Sequence, residues 1–589
     1  MGRKLFLWLL LALVLLVFGA FLLWPIWRVV RVGLFGIPGT ADTGFTLAYI
    51  GHVFIDPVLR QGLINSALIA VGVTIITMCI AVPLAVLSVK YDFRGKAMLS
   101  GLLLVPLILP PFVGAIGMRQ IVGRMGALTG LAQDIGLVSA GSPVDWLSFS
   151  RIIGIMLVEA LGLYPIVFLN VSAALANLDP AMEQAAANLG AGRWTIFRRI
   201  TLPLMRPGLF AGGTIVLIWS FTELGTPLMF DFSRVMPVQV FQRISQVSGS
   251  PVPYAMVIVM LASSCLLYLT GKTLLGRTNV AGVTKASVRS TTLKLRGPKA
   301  ALAAGAFGLV IALALLPHIG VVLTSLSGVG SWYESALPRV FTTAHYAAGL
   351  SHDVTIPAIR NSVIFALIAT VADVILGILI AWVIVRSKLP GKQLIDSLAM
   401  LPLAVPGLVL AFGYLAISFQ LQSVVQSIPT LKDLSAQFPN TFDLINVEKN
   451  PALLLVIAYA MRRLPYVVRS AVAGLQQTPV DLELAARNLG AGPLLTARRI
   501  MIPLIAANLV AGALLAFAFA MLEVSDSLIL AQKQAYWPIT KAIYELFQRL
   551  GDGPYVASAL GVWAMALLTL TILLANDLLG KRMGAIFRV

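Results

Sequence analysis

Apolar runs and short polar connections alternate along the whole chain. A helix of about 20 apolar residues, rising 1.5 Å per residue, crosses a hydrocarbon core about 30 Å thick. The pattern therefore predicts an all-α integral membrane protein with about twelve transmembrane helices. The predicted spans are residues 5–28, 64–89, 97–117, 152–175, 207–230, 254–275, 299–325, 361–386, 395–419, 452–473, 506–530 and 555–580.

The second half of this pattern repeats the first. The matched pairs are Asn65 with Asn361, Pro106 with Pro402 and Pro110 with Pro406 at an offset of 296, and Pro165 with Pro465, Gly190 with Gly490 and Glu223 with Glu523 at an offset of 300. Residues 1–285 and 286–589 are therefore predicted to be two similar halves of about six spans each. Because an even number of spans separates them, both halves enter the membrane in the same sense and form parallel repeats around a shared pore.

The positive charges predict the orientation. A formal net charge of +19 would favour nucleic-acid binding in a soluble protein, but here Lys and Arg are concentrated in alternate connections. The stretch from Lys272 to Lys299 contains seven basic residues and no acidic one. Since basic connections stay in the cytoplasm, both termini and the linker 276–298 are predicted to be cytoplasmic.

The composition leaves no room for a sizeable soluble domain. The chain is 59% hydrophobic and 11% charged, with a mean hydropathy of +0.92. Cys79 and Cys265 both fall in apolar runs, so neither a disulfide framework nor a metal site is predicted. The first apolar run is longer than that of a typical signal peptide, so a retained span is expected, with a cleaved signal peptide as the alternative.

One polar segment occurs twice. EQAAANLGAGRWTIFRRITLP begins at Glu183 and ELAARNLGAGPLLTARRIMIP begins at Glu483, with twelve identical positions. We call residues 179–203 repeat segment 1 and residues 478–503 repeat segment 2. In each, a potential cap followed by proline, Asp179-Pro180 or Thr478-Pro479, predicts a helix start, and a glycine predicts its end.

Two functions fit a repeated cytoplasmic segment of this kind. It can lie on the lipid surface with its arginines facing anionic headgroups, or it can dock a partner subunit. Its occurrence at matching places in parallel repeats favours docking of a symmetric pair of partners. The candidate docking residues are Glu183, Ala185, Ala186, Gly190, Arg198 and Arg199, and Glu483, Ala485, Ala486, Gly490, Arg498 and Arg499.

The pattern E-x-A-A, then Gly, then I-x-x-P, resembles the cytoplasmic "EAA" loop of permease subunits of binding-protein-dependent ABC importers. The resemblance implies the type I importer permease fold, with residues 183–190 and 483–490 as coupling helices. The family's usual Glu six residues before the Gly is replaced by Gln184 and Leu484, and Glu183 and Glu483 lie one place upstream.

The resemblance also implies the partners. Two copies of an ATPase subunit would hold ATP and Mg²⁺, an external solute-binding protein would deliver cargo, and the chain would span the bacterial inner membrane, without nucleic acid or a cofactor of its own. The sequence GKT at Gly271 lacks the earlier glycine of a phosphate-binding loop, since that position is Leu266. The chain is therefore expected to be a translocation subunit and not an enzyme.

Ionisable residues at membrane depth mark pathways or ion pairs. Glu223 and Glu523 are predicted either to converge as an acidic constriction, with Asp526 close by, or to be capped or paired within their own halves. Asp373 and Arg462-Arg463 are expected to form a structural ion pair, and the alternative is that Asp373 and Arg462 line the translocation path as substrate ligands. The remaining pathway candidate is Glu159, whose counterpart is Tyr459.

The fused halves, with LAMLPLAVPGLVLAFGYL and SFTELGTP, most resemble ferric-iron importers. A pair of acids also favours a cation. The alternatives are the same machine for polyamine, thiamine, phosphonate, sulfate or sugar phosphate, and a secondary transporter driven by an ion gradient, which leaves the repeat segments unexplained.

Overall fold

The structure is a computed structural model that is almost entirely helical. It describes residues 2–37, 44–108, 111–124, 126–139, 141–142, 144–146, 151–275, 292–333, 335–387 and 391–586. Most of the predicted linker, residues 276–291, and with it the predicted boundary between the halves, lies outside the described residues. So do Pro110 and residues 388–390.

Fifteen α-helices form the first half. They are α1 (Gly2–Phe18), α2 (Trp24–Phe35), α3 (Ala48–Ile55), α4 (Pro57–Lys90), α5 (Lys96–Leu102), α6 (Pro111–Val122), α7 (Ala127–Asp134), α8 (Arg151–Ala176), α9 (Pro180–Asn188), α10 (Arg193–Ile196), α11 (Leu202–Leu204), α12 (Arg206–Phe221), α13 (Gly225–Met229), α14 (Met236–Gln242) and α15 (Val252–Leu275). Single π-helical turns lie at Gly19–Leu23 and Phe197–Thr201, and 3₁₀ turns lie at Val105–Ile108 and Ile244–Gln246.

Fourteen α-helices follow in the second half. They are α16 (Pro298–Leu326), α17 (Ala344–Ser351), α18 (Thr355–Arg386), α19 (Lys392–Ala404), α20 (Gly407–Ser427), α21 (Pro429–Gln437), α22 (Pro439–Asp443), α23 (Ala452–Gln477), α24 (Asp481–Asn488), α25 (Pro493–Thr496), α26 (Ile502–Met521), α27 (Ser525–Leu530), α28 (Ile539–Phe547) and α29 (Gly553–Ile586). A π-helical turn lies at Ala497–Met501 and a 3₁₀ turn at Gln534–Tyr536.

Within the described ranges, nine helices are long and apolar enough to cross a membrane, or up to eleven if each of two bent helix pairs is one span. The prediction of twelve is therefore confirmed only in part. The predicted span 452–473 corresponds to α23, which is 26 residues long but carries Arg462, Arg463 and Arg469 and is not among the nine.

Prolines displaced or bent several predicted spans. The range 395–419 was wrong, because the chain breaks at Val405-Pro406 and the span is α20, Gly407–Ser427. Val405 is extended, as the residue before a proline prefers to be. The predicted third span is likewise a pair of helices, Lys96–Leu107 and Phe112–Asp134, that meet at 99°.

The predicted fifth and eleventh spans differ from each other in shape, again because of a proline. Helices Arg193–Leu204 and Arg206–Phe221 meet at 64°, whereas the matching stretch Pro493–Met521 is continuous. Pro207 stands where the second half has Ala507. A proline removes one helical hydrogen bond and its ring clashes with the preceding turn, so only the first half bends here.

The repeat predicted from sequence has matching contacts in the structure. Asn65 Nδ2 donates to the Arg234 carbonyl at 2.8 Å, and Asn361 Nδ2 donates to the Ala535 carbonyl at 2.9 Å. The adjacent serines repeat the arrangement: Ser66 Oγ accepts from the Met236 amide at 2.9 Å, and Ser362 Oγ accepts from the Ile539 amide at 2.7 Å. The paired Asn-Ser motifs therefore hold equivalent loops in the two halves.

The first membrane-length helical stretch of each half, Trp8–Phe35 or Pro298–Leu326, packs against a helix of the other half. On α6, a Cβ added to Gly117 would lie 2.4 Å from the Pro317 carbonyl oxygen of α16. On α20, a Cβ added to Gly413 would lie 2.7 Å from Pro25 of α2, and Tyr414 Oη donates to the Phe21 carbonyl at 2.5 Å. Because small residues let helix backbones approach closely, these two crossings join the halves.

A pair of short strands also joins the halves. β1 (Tyr91–Asp92) directly follows α4, and β2 (Leu293–Lys294) lies at the end of the linker, just before α16. They pair in parallel, with Tyr91 opposite Leu293 and Asp92 opposite Lys294. The Leu295 amide continues the pairing by donating to the Asp92 carbonyl at 2.8 Å.

Candidate functional site

Repeat segment 1 forms the predicted short helix and glycine stop. Asp179 caps α9, because its Oδ1 accepts a hydrogen bond from the Ala181 amide at 2.9 Å. The helix ends at Gly190, whose φ of 83° is in the left-handed region that favours glycine. The Ala191 amide donates to the Ala186 carbonyl at 3.0 Å, which completes a Schellman-type end.

Repeat segment 2 has the same end but a different start. Gly490 also has a φ of 83°, and the Ala491 amide donates to the Ala486 carbonyl at 3.0 Å. The predicted cap Thr478 was wrong: its Oγ1 donates to the Gly474 carbonyl at 3.0 Å, and α24 begins only at Asp481. A threonine directly after the last residue of a helix can donate its hydroxyl back to that helix instead of capping the next one.

The turn after each short helix presents apolar side chains to the outside. Leu189 and Leu489 are both 89% exposed, and Trp194 and Leu494 are exposed one turn later. Ala185 and Ala485 are exposed, whereas Ala186 is half-buried and Ala486 is buried. Exposed leucines at equivalent positions give the two segments a matching apolar tip.

The predicted arginine pairs follow on the π-helical turns. Arg198 and Arg199 lie in Phe197–Thr201, Arg498 and Arg499 lie in Ala497–Met501, and all four are exposed. Their guanidinium groups flank the apolar tips and give each segment a positive edge.

Glu183 and Glu483 do not point outward with these residues. Lys90 Nζ binds Glu183 Oε1 at 2.5 Å, and Thr201 Oγ1 donates to the same oxygen at 2.5 Å. Arg386 Nε binds Glu483 Oε1 at 2.6 Å. Each acid therefore ties its repeat segment to the end of the long helix α4 or α18 of its own half.

A cavity of about 180 Å³ lies between the halves and is lined by both. Its wall includes Glu223 and Glu523, which the sequence predicted to converge, together with Arg462 and Arg463. Asp526, Asp373 and Glu159 are not part of the wall. Both glutamates therefore line one cavity, but two guanidinium groups share it with them, and an acidic constriction on a transport path stays a prediction.

In the part of the chain that the structure describes, no Lys or Arg side chain forms a salt bridge with Glu223, which is held by hydrogen bonds instead. Its Oε1 accepts from the Gly225 and Thr226 amides at 3.1 and 3.4 Å, and its Oε2 accepts from Trp219 Nε1 at 3.0 Å. Glu223 thus caps the start of α13 within its own half while its side chain lines the cavity.

Glu523 has a different environment at the equivalent position. Arg462 and Arg463 each form a salt bridge with one of its carboxylate oxygens, and Arg462 Nη1 also lies 3.3 Å from Asp526 Oδ2. The first half has Gly162 and Leu163 where the second has these arginines. The cavity is therefore electrostatically asymmetric, with a paired glutamate on one side only.

The predicted ion pair of Asp373 with Arg462-Arg463 was wrong. Both arginines bind Glu523 instead, and neither carboxylate oxygen of buried Asp373 has a hydrogen-bond partner among the described residues. Glu159 is also buried; its Oε2 accepts from Ser220 Oγ at 2.5 Å, and its Oε1 has no partner there. The sequence therefore did not identify the neighbours of these two buried carboxylates.

Two residues that hold the repeat segments were missed as site residues. Lys90 and Arg386 were used only to predict orientation, although they match at the offset of 296. Their position at the last turn of equivalent helices, each with an acid in the following repeat segment, was the available signal. No group of three or more His, Cys, Asp and Glu side chains is arranged to hold a metal ion in the described part of the chain.

Comparison with known proteins matches both halves to one family. Residues 77–278 and 373–585 match the family described as "Binding-protein-dependent transport system inner membrane component". The chain is 26% identical over 591 residues to the ferric transport system permease protein FbpB of Actinobacillus pleuropneumoniae, covering 98% of this chain and 79% of that protein.

Two further relatives have related names. The putative ferric transport system permease protein FbpB 1 of Haemophilus influenzae is 26% identical over 487 residues, covering 81% of this chain and 70% of that protein. The molybdenum transport system permease protein ModB of Escherichia coli K12 is 32% identical over 171 residues, covering 28% of this chain and 71% of that protein. The long matches therefore span both halves, and the molybdenum match spans a stretch shorter than one half.

Proposed function

Because the chain belongs to the family of binding-protein-dependent transport system inner membrane components, we propose that it is the transmembrane permease subunit of an ATP-driven importer. It receives a solute from an external binding protein and passes it to the cytoplasm, while a separate ATPase subunit hydrolyses ATP. The observation that carries this proposal is the repeat segment, present once per half with the same glycine stop and the same exposed leucine.

Each repeat segment docks one of two ATPase subunits. Leu189 and Leu489 offer an apolar tip that can enter a cleft of a partner, and Ala185 and Ala485 let the partner's backbone approach. Isolated exposed leucines are common, but the same exposed leucine at equivalent sites supports a paired interface. Glu183 and Glu483 act by fixing the segments to their own halves, so that displacement of a segment is passed on.

The second half offers a direct path from segment to cavity. The stretch from Pro493 to Met521 is one continuous helix, and Glu523 follows it by two residues. A push on repeat segment 2 therefore moves the cavity wall at Glu523 as a rigid lever. In the first half the bend before Arg206 lies on the equivalent path.

The halves are placed in the membrane as parallel units of six spans. The basic connections support a cytoplasmic position for both termini, the linker and both repeat segments. The protein then spans the bacterial inner membrane, with the external binding protein docking on the opposite face.

Ferric iron is the cargo that the relatives and the cavity favour together. The two long relatives are named as ferric transport permeases. Glu223 contributes a carboxylate to the cavity that no described cation neutralises, and a negative group in a narrow pore attracts a cation.

A molybdenum oxyanion is the second candidate. It is favoured by the match to the molybdenum permease and by Arg462 and Arg463 in the cavity wall. Guanidinium groups bind oxyanions well, but here both are engaged by Glu523. An anion would have to compete with that carboxylate for them.

Reconstituted vesicles test the proposal. The chain, its co-purifying ATPase subunit and its binding protein are incorporated, and uptake of ⁵⁵Fe(III) and ⁹⁹Mo-molybdate is measured with ATP inside. We expect iron uptake that requires ATP and the ATPase subunit. Uptake driven by a proton or sodium gradient alone would reject the importer, and ATP-driven molybdate uptake would reject only the cargo.

A further inference from the structure

Repeat segment 1 and the linker strand meet at consecutive residues. Lys90, the last residue of α4, binds Glu183 of repeat segment 1, and the next residue, Tyr91, begins strand β1. β1 pairs with β2 of the linker. We call the Lys90–Glu183 ion pair the anchor of repeat segment 1. It lies directly beside the only two-stranded sheet within the described residues.

The strand pair is itself fixed to the second half. Phe93, which follows β1, is buried and contacts Phe307 of α16 with ring centroids 5.5 Å apart. The Leu295 amide donates to the Asp92 carbonyl at 2.8 Å, and the Leu295 side chain packs against the apolar core. Lys96 Nζ donates to the Tyr91 carbonyl at 2.8 Å. The segment after Lys90 is thus fixed by one ring contact with α16 and by two hydrogen bonds, one from Leu295 and one from Lys96.

The anchor of repeat segment 2 does not have the same character. The side chains of Arg386 and Glu483 are only 9% and 4% exposed, and Arg386 Nη2 also donates to the Thr478 carbonyl at 2.8 Å. The side chains of Lys90 and Glu183 are both 27% exposed. A buried arginine with two directed bonds fixes a geometry, whereas a lysine is a flexible point charge in a partly solvated pair.

We propose that the linker strand β2 is the positioning element of repeat segment 1: by pairing with β1 it fixes Lys90, which in turn fixes Glu183. The linker thus does for repeat segment 1 what the buried Arg386–Glu483 pair does for repeat segment 2. The consequence for transport rests on the proposed function, but the positioning itself is a property of this chain alone.

Spin labels at the two exposed leucines test the positioning without any partner. Cys79 and Cys265 are free, so both are first replaced by serine. Leu189→Cys or Leu489→Cys is then labelled, and the mobility of the label is read from its spectrum in nanodiscs. Leu295→Pro removes the amide that donates to Asp92, Lys90→Met removes the anchor, and Arg386→Met is the matched change in the second half.

We expect Leu295→Pro and Lys90→Met to increase the mobility of the label at 189, because its backbone is less restrained, and to leave the label at 489 unchanged. Arg386→Met should do the reverse. If Lys90→Met increases the mobility of the label at 189 but Leu295→Pro leaves its spectrum unchanged, strand β2 does not position repeat segment 1 and the proposal is rejected.

If Leu295→Pro fails to fold, an added bond gives a second test. Asp92 and Lys294 are opposite each other in the register, so Asp92→Cys with Lys294→Cys should form a disulfide on oxidation. The disulfide should slow tryptic cleavage after Arg198 and Arg199 relative to the reduced form and not affect cleavage after Arg498 and Arg499. Equal cleavage in both redox states would also overturn the proposal.

Transport assays separate this inference from the proposed function. In vesicles, Leu295→Pro should lower uptake per ATP hydrolysed as Lys90→Met does, and the double variant should lose no more than either alone. If wild-type uptake proves independent of ATP while the labels respond as expected, the proposed function fails and the positioning role stands.

Discussion

Trp219 and Phe519 occupy the same position in the two halves, at the offset of 300, and their rings meet edge to face with centroids 6.3 Å apart. Both line the cavity between the halves. Matching positions of the two halves therefore contact each other at the wall of the cavity.

The glycine stops of the repeat segments are predicted to be essential for coupling. Gly190→Val and Gly490→Val place a β-branched residue at a φ of 83°, which costs about 1–3 kcal/mol and reorients the exit from each short helix. We expect insertion and ATPase activity to persist while uptake falls sharply. The measurement is uptake and ATP hydrolysis in the same vesicles.

Gly192→Ala and Gly492→Ala are the matched controls for these changes. Both glycines have a negative φ, and a Cβ there meets no atom within 4 Å. Transport at the normal rate in the valine variants would contradict the coupling role of the two stops.

The two cavity glutamates are predicted to differ in their effect on stability. Glu523→Gln leaves buried Arg463 and half-buried Arg462 without the charge of their shared partner, and removing one member of a buried ion pair costs about 3–5 kcal/mol. Glu223→Gln keeps an oxygen that can accept from the Gly225 amide, so its cost should be small. Thermal unfolding in detergent should show a clearly lower midpoint for Glu523→Gln only; equal midpoints would contradict the asymmetry.

Glu223 is predicted to matter for cargo rather than for stability. Replacing the carboxylate by an amide removes the one cavity charge that no described cation neutralises. We expect Glu223→Gln to lower ferric-iron uptake while ATPase docking and the unfolding midpoint stay unchanged. Unaltered iron uptake in this variant would remove the structural reason for favouring a cation.

The crossings between the halves are predicted to depend on Gly117 and Gly413. A Cβ on Gly117 would lie 2.4 Å from a backbone oxygen of α16, and one on Gly413 would lie 2.7 Å from Pro25. Gly117→Val and Gly413→Val should each reduce co-purification of the halves when these are expressed as two chains divided within residues 276–291, because overpacked helices separate.

Gly305→Ala on α16, the helix that Gly117 contacts, is the control for the crossings, because a Cβ there meets no atom within 4 Å. Normal co-purification of the halves in both valine variants would show that the crossings do not depend on these glycines.

The sequence predicted the large features because they follow from hydrophobic length and repetition. The two halves, the short helices with their glycine stops and the convergence of Glu223 with Glu523 all follow from such patterns. The position in an apolar run gives the approximate depth of a side chain in the membrane, but it does not show which neighbouring helix that side chain meets. For this reason Arg463 was assigned to Asp373, although its guanidinium binds Glu523.

Local hydrogen bonding and proline geometry explain the other differences between the predicted and the observed helices. Thr478 bonds back to Gly474 rather than capping the following helix, and Pro406 moves the start of a span that hydropathy alone places earlier. Lys90 and Arg386 looked like ordinary positive residues of cytoplasmic connections. Only the fold shows that each reaches an acid in the repeat segment of its own half, 93 and 97 residues later along the chain.

Site-specific photo-crosslinking at the two exposed leucines tests whether the repeat segments dock ATPase subunits. A photoreactive amino acid replaces Leu189 or Leu489 in the full chain, and native membranes are irradiated with and without ATP. We expect a crosslink from each position to an ATP-binding subunit, with a yield that changes on nucleotide addition. Crosslinks from both positions to lipid alone, or to a protein on the external face, would contradict it.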